Sequence, residues 1–332
     1  MLSYRGFSRI TEICWDISEE RALLRQRSGA FTRNHFSKHC GQGTRIGFSC
    51  CWVIGLDRVA VKLKHGRVAS RCKFEAAIHI VITGASSGLG AALAHFYAAA
   101  GVILSLAGRD LARLQTVAAG CRARGAEVAY EVVDVTDAAG MDRWLRTRDT
   151  ACGVDLLIAN AGIGGISAIA PDNGEAGDLA RQIIEINVIG VLNTVTPLLP
   201  RLVGRRRGHV AIVSSLAGFL GLPAAPSYCA SKAAVRIYAE ALRRRLAPHG
   251  VRVTAISPGF VDTPMSATLP FIQPWLWPAD RAARHIAAGL ARGKQEIVFP
   301  WQLHLAVRFA ALLPTAIIDR VLIRRSLQGH HS

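Results

Sequence analysis

Short apolar runs alternate with longer amphipathic stretches along the chain after residue 76. The runs are four to six residues long and rich in Val, Ile and Leu, a pattern typical of strands that are buried on both faces of a sheet. We predict strands at Ile78–Ile82, Val102–Ala107, Val128–Val133, Asp155–Ala159, Val210–Ser214, Val251–Ile256 and Glu296–Phe299.

The stretches between these runs carry apolar residues at helical spacing. They predict one helix that begins at Ala91 and others at Asp110–Arg124, Asp137–Arg148, Leu179–Leu202, Ser227–Leu246 and Ala279–Arg292. Strands and helices that alternate form a parallel sheet with helices on both faces and a ligand at the carboxyl ends of the strands. The sequence therefore predicts an α/β fold over residues 76–300: a single doubly wound sheet of the Rossmann type, with about seven strands flanked by helices.

The two ends of the chain differ from this central region. Residues 1–75 are basic and rich in Cys, Arg and Gly, and they show no sustained periodicity. We consider two hypotheses for them, a poorly structured N-terminal extension and a sequence that starts upstream of the natural one. Residues 301–332 predict an apolar, amphipathic helical tail that Pro314 interrupts.

Composition indicates a chain with a substantial core, since 51% of its 332 residues are hydrophobic and 19% are charged. The formal net charge of +17 is spread along the chain, which predicts non-specific attraction to polyanions. The sequence carries no signature of a nucleic-acid-binding domain. We therefore expect no specific nucleic-acid partner.

The eight cysteines lack the paired spacing of a metal site or a disulfide framework, so we expect reduced thiols and no metal. Four acidic residues, Glu12, Asp16, Glu19 and Glu20, interrupt the first twenty residues and argue against a secretory signal or a transit peptide. We expect a cytoplasmic protein.

A glycine-rich turn joins the first predicted strand to the first helix. It runs from Thr83 to Gly90 as Thr-Gly-Ala-Ser-Ser-Gly-Leu-Gly. Glycines let the backbone approach a pyrophosphate, and the helix that follows offers free N–H groups and a positive dipole end. The turn therefore predicts a dinucleotide site, with candidate contacts at Gly84, Ser86, Ser87, Gly88, Leu89 and Gly90.

Other candidate residues follow the carboxyl ends of later strands, which meet at one edge of a parallel sheet. We expect one crevice to collect Gly108, Arg109, Asp134, Val135, Asn160, Ala161, Gly162, Ser215, Pro258 and Gly259.

Tyr228 and Lys232 lie four residues apart at the start of an Ala-rich helical pattern. Residues at this spacing share one face of a helix. A free tyrosine titrates near ~10, and a neighbouring ammonium favours its ionised form. The pair is therefore a candidate for proton transfer, although the same spacing is also common in helices without chemistry.

These motifs together resemble the short-chain dehydrogenase/reductase family over about residues 77–300. The glycine turn, Asn160-Ala-Gly162, Asn187, Ser215, the Tyr228–Lys232 pair and Pro258-Gly259 occur in the family's order. The resemblance implies that Tyr228 is the catalytic acid/base, that Lys232 lowers its pKa and binds the nicotinamide ribose, and that Ser215 hydrogen-bonds the substrate oxygen. It also implies a proton relay supported by Asn187, an adenine contact at Asp134, and cofactor contacts at Val261 and Thr263. The alternative for Asp134 is a turn residue at the end of its strand, and the resemblance favours the adenine contact.

The end of the second strand predicts the cofactor. An acidic residue there would bind the ribose hydroxyls of NAD and repel the extra phosphate of NADP. This chain has Gly108 followed by Arg109, whose guanidinium suits a phosphate. We expect NADP(H) rather than NAD(H), while the alternative is that Arg109 is a solvated charge before a helix capped by Asp110.

The segment Pro264–Pro278 is apolar and aromatic, without convergent charges. It predicts a small-molecule carbonyl or alcohol substrate that is apolar or bulky, while the alternative is that the segment closes the core. The tail could pack on the domain, cover a partner subunit in a homo-oligomer, or contact the inner face of a membrane peripherally. The alternative to an oxidoreductase is a regulatory protein that has the same fold and senses a dinucleotide.

Overall fold

A computed structural model of the protein describes residues 77–164, 175–269 and 271–328. The predictions made for residues 1–75 lie outside the described residues.

Seven parallel strands form the central sheet, in the spatial order β3-β2-β1-β4-β5-β6-β9. Their bounds are Ile78–Thr83 (β1), Val102–Gly108 (β2), Glu127–Val132 (β3), Leu156–Ala159 (β4), His209–Val213 (β5), Arg252–Pro258 (β6) and Glu296–Phe299 (β9). Two short strands, β7 (Val261–Asp262) and β8 (Trp277–Pro278), pair separately beside the sheet. The predicted fold is confirmed, and every predicted strand is present within two residues of its predicted bounds.

The strand order reverses between β1 and β4, which pair in the middle of the sheet. The chain builds outward from β1 to β3 on one side and from β4 to β9 on the other. Connections then leave the carboxyl ends in opposite directions and open a crevice, where ligands of such sheets bind. The topology therefore places the glycine turn after β1 and the Asn160 turn after β4 at the switch point.

Helices cover both faces of the sheet, which is why strands β4 and β5 are buried throughout. One face carries α1 (Gly88–Tyr97), α2 (Leu111–Arg122) and α6 (Ala279–Ala291). The other face carries α3 (Ala138–Ala151), the helical run α4 (Gly177–Arg205) and α5 (Pro226–Leu246). Two apolar cores result, one on each face, as the continuous apolar strands predict.

Among the described residues, only α4 is long and apolar enough to cross a membrane by length and composition, with a mean hydropathy of 1.5 in its most apolar window. Ile186, Val191 and Val195 on α4 belong to the core beneath the sheet. Packing within the domain thus accounts for the apolar character of the face of α4 that carries these residues.

The tail forms two further helices, α7 (Trp301–Ala310) and α8 (Thr315–Gln328). Pro314 lies between them, as the sequence predicts for a residue that cannot continue a helix.

Candidate functional site

A cavity of about 820 Å³ lies at the carboxyl ends of the strands. Its volume is within the range of small-molecule and cofactor sites. The turns after β1, β2, β4, β5 and β6 line it, together with the start of α5 and part of α7. The cavity therefore collects residues from both halves of the sheet, as predicted.

The glycine turn forms one wall, with Gly84, Ser86, Ser87, Gly88 and Leu89 on the cavity surface. Gly84 has a φ of +65°, and a side chain there would approach the Cα of Ala161 to 2.8 Å. Gly90 does not border the cavity. A Cβ on it would come within 2.2 Å of the carbonyl oxygen of Gly84, so its role is to let α1 begin close to the turn.

Asn160 ties the two halves of the sheet together at the switch point. Its Nδ2 donates to the carbonyl oxygens of Thr83 (3.0 Å) and Gly84 (3.2 Å). The hydroxyl of Thr83 accepts from the backbone amides of Asn160 (3.2 Å) and Ala161 (3.3 Å). These bonds fix the glycine turn against the Asn160-Ala161-Gly162 turn, and all three residues of the latter line the cavity.

Basic residues border the opposite end of the cavity, near the end of β2. Arg109 is exposed, and its Nη1 lies 3.9 Å from Oδ2 of Asp134. Asp134 also accepts hydrogen bonds at Oδ1 from the amide (2.9 Å) and hydroxyl (2.8 Å) of Thr136. Asp134 thus takes part in a turn, the alternative raised above, while it and Val135 also line the cavity.

Asn187 is fully buried and does not border the cavity. It lies in a π-helical segment of α4, Glu185–Ile189, a distortion that often marks functional sites. Its side chain accepts from the amide of Ile163 (2.8 Å) and donates to the carbonyl of Ile163 (3.0 Å) and to the hydroxyl of Ser231 (3.1 Å). Asn187 therefore holds the turn after β4 against helix α5.

The two serines after β5 have different environments. Ser214 is buried, and its hydroxyl donates to the carbonyl of Lys232 at 2.7 Å, so its role is structural. Ser215 is half-buried and lines the cavity. Its Oγ accepts from the amide of Ala217 at 3.1 Å and caps the short helix Leu216–Phe219.

Tyr228 and Lys232 point into the same cavity from α5. Lys232 is 4% exposed, and its ammonium donates to the carbonyl of Val213 (3.3 Å) and lies 5.8 Å from the ring centroid of Tyr228. Burial lowers the pKa of Lys232 to about 8, because desolvation penalises its charged form.

The pKa of Tyr228 runs opposite to the sequence-based expectation. Burial raises it, and the contact with Ser215 opposes that rise only in part. The expectation failed because it counted the charge of Lys232 but not the desolvation of the phenol, which is the larger effect here. In the protein by itself, Tyr228 is a protonated phenol at neutral pH.

The turn after β6 completes the cavity with Pro258, Gly259, Val261 and Thr263. The segment Pro264–Pro278 that follows both lines the cavity and closes the core, the two roles considered for it. Its first part lines the cavity through Pro264, Met265, Ser266, Leu269, Phe271, Ile272 and Pro274. Trp277 instead stacks on Phe299 at 4.8 Å and closes the core.

Three contributions to the site escaped sequence reasoning. Arg113, the third residue of α2, lines the cavity together with Arg109, which lies before the helix, so helical spacing gave no signal for it. Leu303 and Val307 of α7 also line the cavity, although α7 follows the last strand. Glu175 accepts from the amide (3.1 Å) and hydroxyl (2.6 Å) of Ser227 at the start of α5, a long-range contact without a local signal.

Buried histidines outside the cavity belong to the sheet. His79 on β1 hydrogen-bonds Ser105 on β2 (2.8 Å), and His209 on β5 hydrogen-bonds Thr254 on β6 (2.8 Å). Within the described ranges, no group of three or more His, Cys, Asp or Glu side chains is placed to hold a metal ion.

Comparison with known proteins places these features in one family. A family model described as short chain dehydrogenase matches residues 78–270. A protein of Myxococcus xanthus described as an uncharacterized oxidoreductase is 42% identical over 240 residues, which cover 72% of this chain and 94% of that protein.

Two solved structures are similar in fold. A short-chain dehydrogenase from Sphingobium yanoikuyae in complex with NADPH has a TM-score of 0.62 at 28% identity, over 71% of this chain and 92% of that one. A short chain dehydrogenase from Mycobacterium paratuberculosis bound to NAD has a TM-score of 0.60 at 26% identity, over 69% of this chain and 98% of that one. With a family match across more than half of its length and a relative matched almost from end to end, the chain belongs to the short chain dehydrogenase family.

Proposed function

We propose that the protein is an NADP(H)-dependent oxidoreductase that interconverts a carbonyl and an alcohol on an apolar substrate. The observation that carries this proposal is the convergence of Tyr228, Lys232 and Ser215 on the cavity that the glycine turn lines. A protein that only senses a dinucleotide would not need a proton donor at this point.

The residues present fit a nicotinamide dinucleotide. The start of α1 faces the cavity through Gly88 and Leu89, where free N–H groups suit a pyrophosphate. Gly84 keeps the turn open, because a side chain there would fill the space against Ala161. Asp134 and Val135 would border the adenine, and Lys232 would hold the nicotinamide ribose.

The choice of NADP(H) rests on Arg109, which directly follows β2, and on Arg113, in the first turn of α2, because both border the cavity. Two guanidinium groups at that end favour a ribose phosphate. Gly108 stands where an acidic residue would select NAD. One structural neighbour binds NADPH and another binds NAD, so the support comes from these side chains and not from the neighbours.

When bound, the dinucleotide would supply a hydride to the carbonyl carbon in reduction, or accept one from the alcohol carbon in oxidation. Tyr228 protonates the carbonyl oxygen as negative charge develops on it, and Ser215 donates a hydrogen bond to the same oxygen. Lys232 keeps a positive charge beside them at pH 7, since its pKa is about 8. Burial raises the pKa of Tyr228, which keeps its phenol protonated and able to donate to the carbonyl oxygen.

The substrate end of the cavity is apolar. Leu269, Phe271 and Ile272 from the segment after β7 face it together with Leu303 and Val307 from α7. A hydrophobic ketone or aldehyde would bury its surface there, while an anionic one would lose its hydration without a partner.

NADPH oxidation by the purified protein, followed against apolar and charged ketones, aldehydes and quinones, tests the proposal. We expect turnover of an apolar carbonyl compound and a loss of roughly 100-fold or more in turnover for Tyr228→Phe, with NADPH affinity retained. Tyr238→Phe, on the same helix but away from the cavity, is the matched control and should keep wild-type rates. Equal turnover in the Tyr228→Phe variant would refute the assignment.

A further inference from the structure

Helix α7 has two apolar faces. Leu303 and Val307 face inward and line the cavity, and His304 packs against Phe219 at 5.4 Å. Trp301, Leu305 and Phe309, at the spacing of the opposite face, and Leu312, in the turn just after the helix, are 66%, 57%, 65% and 82% exposed. One helix therefore separates the cavity from an apolar surface, which we call the α7 outer face (Trp301, Leu305, Phe309 and Leu312).

The cavity reaches the protein surface at its apolar end. Ile272 lines the cavity and is nevertheless 92% exposed, and Phe271 beside it is 43% exposed. Exposing large apolar side chains at the mouth of a cavity and on the helix that forms its wall is unfavourable in water. The two observations together indicate that the mouth and the α7 outer face meet an apolar phase.

Charge distinguishes a bilayer from a second copy of the chain as the occupant. Between Trp301 and Gln328 the sequence contains four arginines, at 308, 320, 324 and 325, against a single acid, Asp319. Arg308 and Arg320 are exposed. An apolar face with a basic excess attracts anionic lipid headgroups, whereas two copies would bring like charges together. Trp301 is also a residue type that favours the membrane interface.

We propose that the α7 outer face docks on an anionic lipid bilayer and that the cavity takes an apolar carbonyl substrate directly from that bilayer. The docking stands on the exposed residues alone. The identity of the substrate as a lipid-resident carbonyl compound rests on the function proposed above.

Flotation of the full chain with vesicles of phosphatidylcholine, with and without phosphatidylglycerol, tests the docking. The variants are Leu305→Glu and Phe309→Glu, each on the α7 outer face and neither on the cavity wall. The matched control is Val132→Glu, which is 49% exposed on the edge strand β3 at the far end of the sheet. Having two variants keeps the test decisive should one of them fail to fold.

We expect the wild type and Val132→Glu to float with the anionic vesicles, and each α7 variant to lose at least about tenfold in partitioning. Failure of the wild type to float, or unchanged flotation of both α7 variants, would overturn the docking. The docking would also be overturned if the wild type does not bind vesicles and an α7 variant changes only the oligomeric state, from oligomer to monomer.

Turnover measurements distinguish a failure of substrate uptake from the bilayer from a failure of the proposed oxidoreductase function. The α7 variants should reduce a water-soluble ketone at the wild-type rate and a long-chain ketone embedded in anionic vesicles at least about tenfold more slowly. Equal rates on the embedded ketone would overturn substrate uptake from the bilayer. If the wild type reduces no carbonyl compound at all, the proposed function fails, and flotation still decides the docking.

Discussion

At the scale of single residues, the charge of Lys232 controls how the site should respond to pH. Burial lowers the pKa of Lys232 to about 8, so its ammonium is present at pH 7 and is lost as the pH rises through about 8. Tyr228 remains protonated across the same range, because burial raises its pKa. We predict that kcat/KM for carbonyl reduction is level near neutral pH and falls above about pH 8.

Cys229 provides the control for this pH profile. It lies next to Tyr228, and burial raises the pKa of its thiol, so the thiol should keep its proton at the pH where Lys232 loses its charge. Cys229→Ser should leave the limb in place. A limb that disappears in Cys229→Ser, or that is absent in the wild type up to pH 10, would contradict the assignment to Lys232.

Cofactor preference should depend on both arginines after β2. Arg109→Asp adds an acid near the ribose and removes a phosphate partner, and Arg113→Ala removes the second partner while keeping the helix. We predict that Arg109→Asp shifts the ratio of kcat/KM for NADPH over NADH by about 100-fold or more, and that Arg113→Ala shifts it by about tenfold. Steady-state kinetics with both cofactors measure these ratios.

Arg122→Ala serves as the control, since Arg122 lies on the same helix but donates to the carbonyl of Val128 at 2.7 Å, away from the cavity. A preference for NADPH that survives in both Arg109→Asp and Arg113→Ala would remove these side chains from cofactor selection.

The sequence predicted which residues meet at the site but not how they interact there. Ser215, Tyr228 and Lys232 could be placed because strand ends converge in a parallel sheet. The pKa of Tyr228 could not be predicted from the sequence, because desolvation depends on everything that packs around the phenol. Arg113 and the inward face of α7 were missed for a related reason: their role depends on how α2 and α7 are oriented.

At the scale of elements, a buried ion cluster fastens α3 to α4. Asp149 on α3 is 4% exposed, and its Oδ2 accepts from Arg205 (2.7 Å) and Arg201 (3.1 Å) on α4. Its Oδ1 accepts from the amide of Val154 at 2.9 Å. Burial by itself would raise the pKa of Asp149, but the hydrogen bonds from Arg205, Val154 and Arg201 lower it below its usual value.

Asp149→Asn should lower the free energy of unfolding by roughly 2–3 kcal/mol at pH 7, because it leaves two arginines without their buried partner. Chemical denaturation measures the difference. Since the folded pKa of Asp149 is depressed, its stabilisation is present above the unfolded pKa of about 3.9 and is lost as the pH falls below it. The gap between wild type and variant should therefore shrink below about pH 4.

Asp142→Asn on the same helix is the matched control, because Asp142 forms an exposed i, i+4 pair with Arg146 at 2.7 Å. It should change stability by no more than about 0.5 kcal/mol. Equal effects at the two positions would show that burial of the Asp149 cluster does not stabilise the junction between α3 and α4.

Elements were predictable wherever a local pattern defined them. The apolar runs located all seven strands, and Asp110 caps α2 by accepting from the amide of Arg113 at 3.0 Å, as expected. The π-helical segment around Asn187 had no such signal, because it shifts the hydrogen bonding of α4 without changing its apolar spacing. Glu175 could not be linked to α5 because the contact joins residues 52 positions apart.

At the scale of the whole molecule, the helices on one face leave apolar residues uncovered. Ile184 and Ile189 on α4 are 38% and 43% exposed, and Ile237 on the neighbouring helix α5 is 52% exposed. These residues are distinct from the α7 outer face and carry no cavity contact. We propose that this surface of α4 and α5 joins two copies of the chain, whereas the sequence raised a homo-oligomer only through the C-terminal tail.

A charge at the centre of that surface should separate the copies. Ile237→Glu would place a carboxylate opposite its own symmetry mate and remove an apolar contact, so we predict a monomer by light scattering at concentrations where the wild type is at least a dimer. Leu305→Glu on the α7 outer face should leave the oligomer intact, because it addresses the other surface. A wild-type monomer, or an Ile237→Glu protein that stays associated, would contradict this interface. If Leu305→Glu were the variant that becomes a monomer, the α7 outer face would be the interface between copies. The proposal that this face docks on a bilayer would then be wrong.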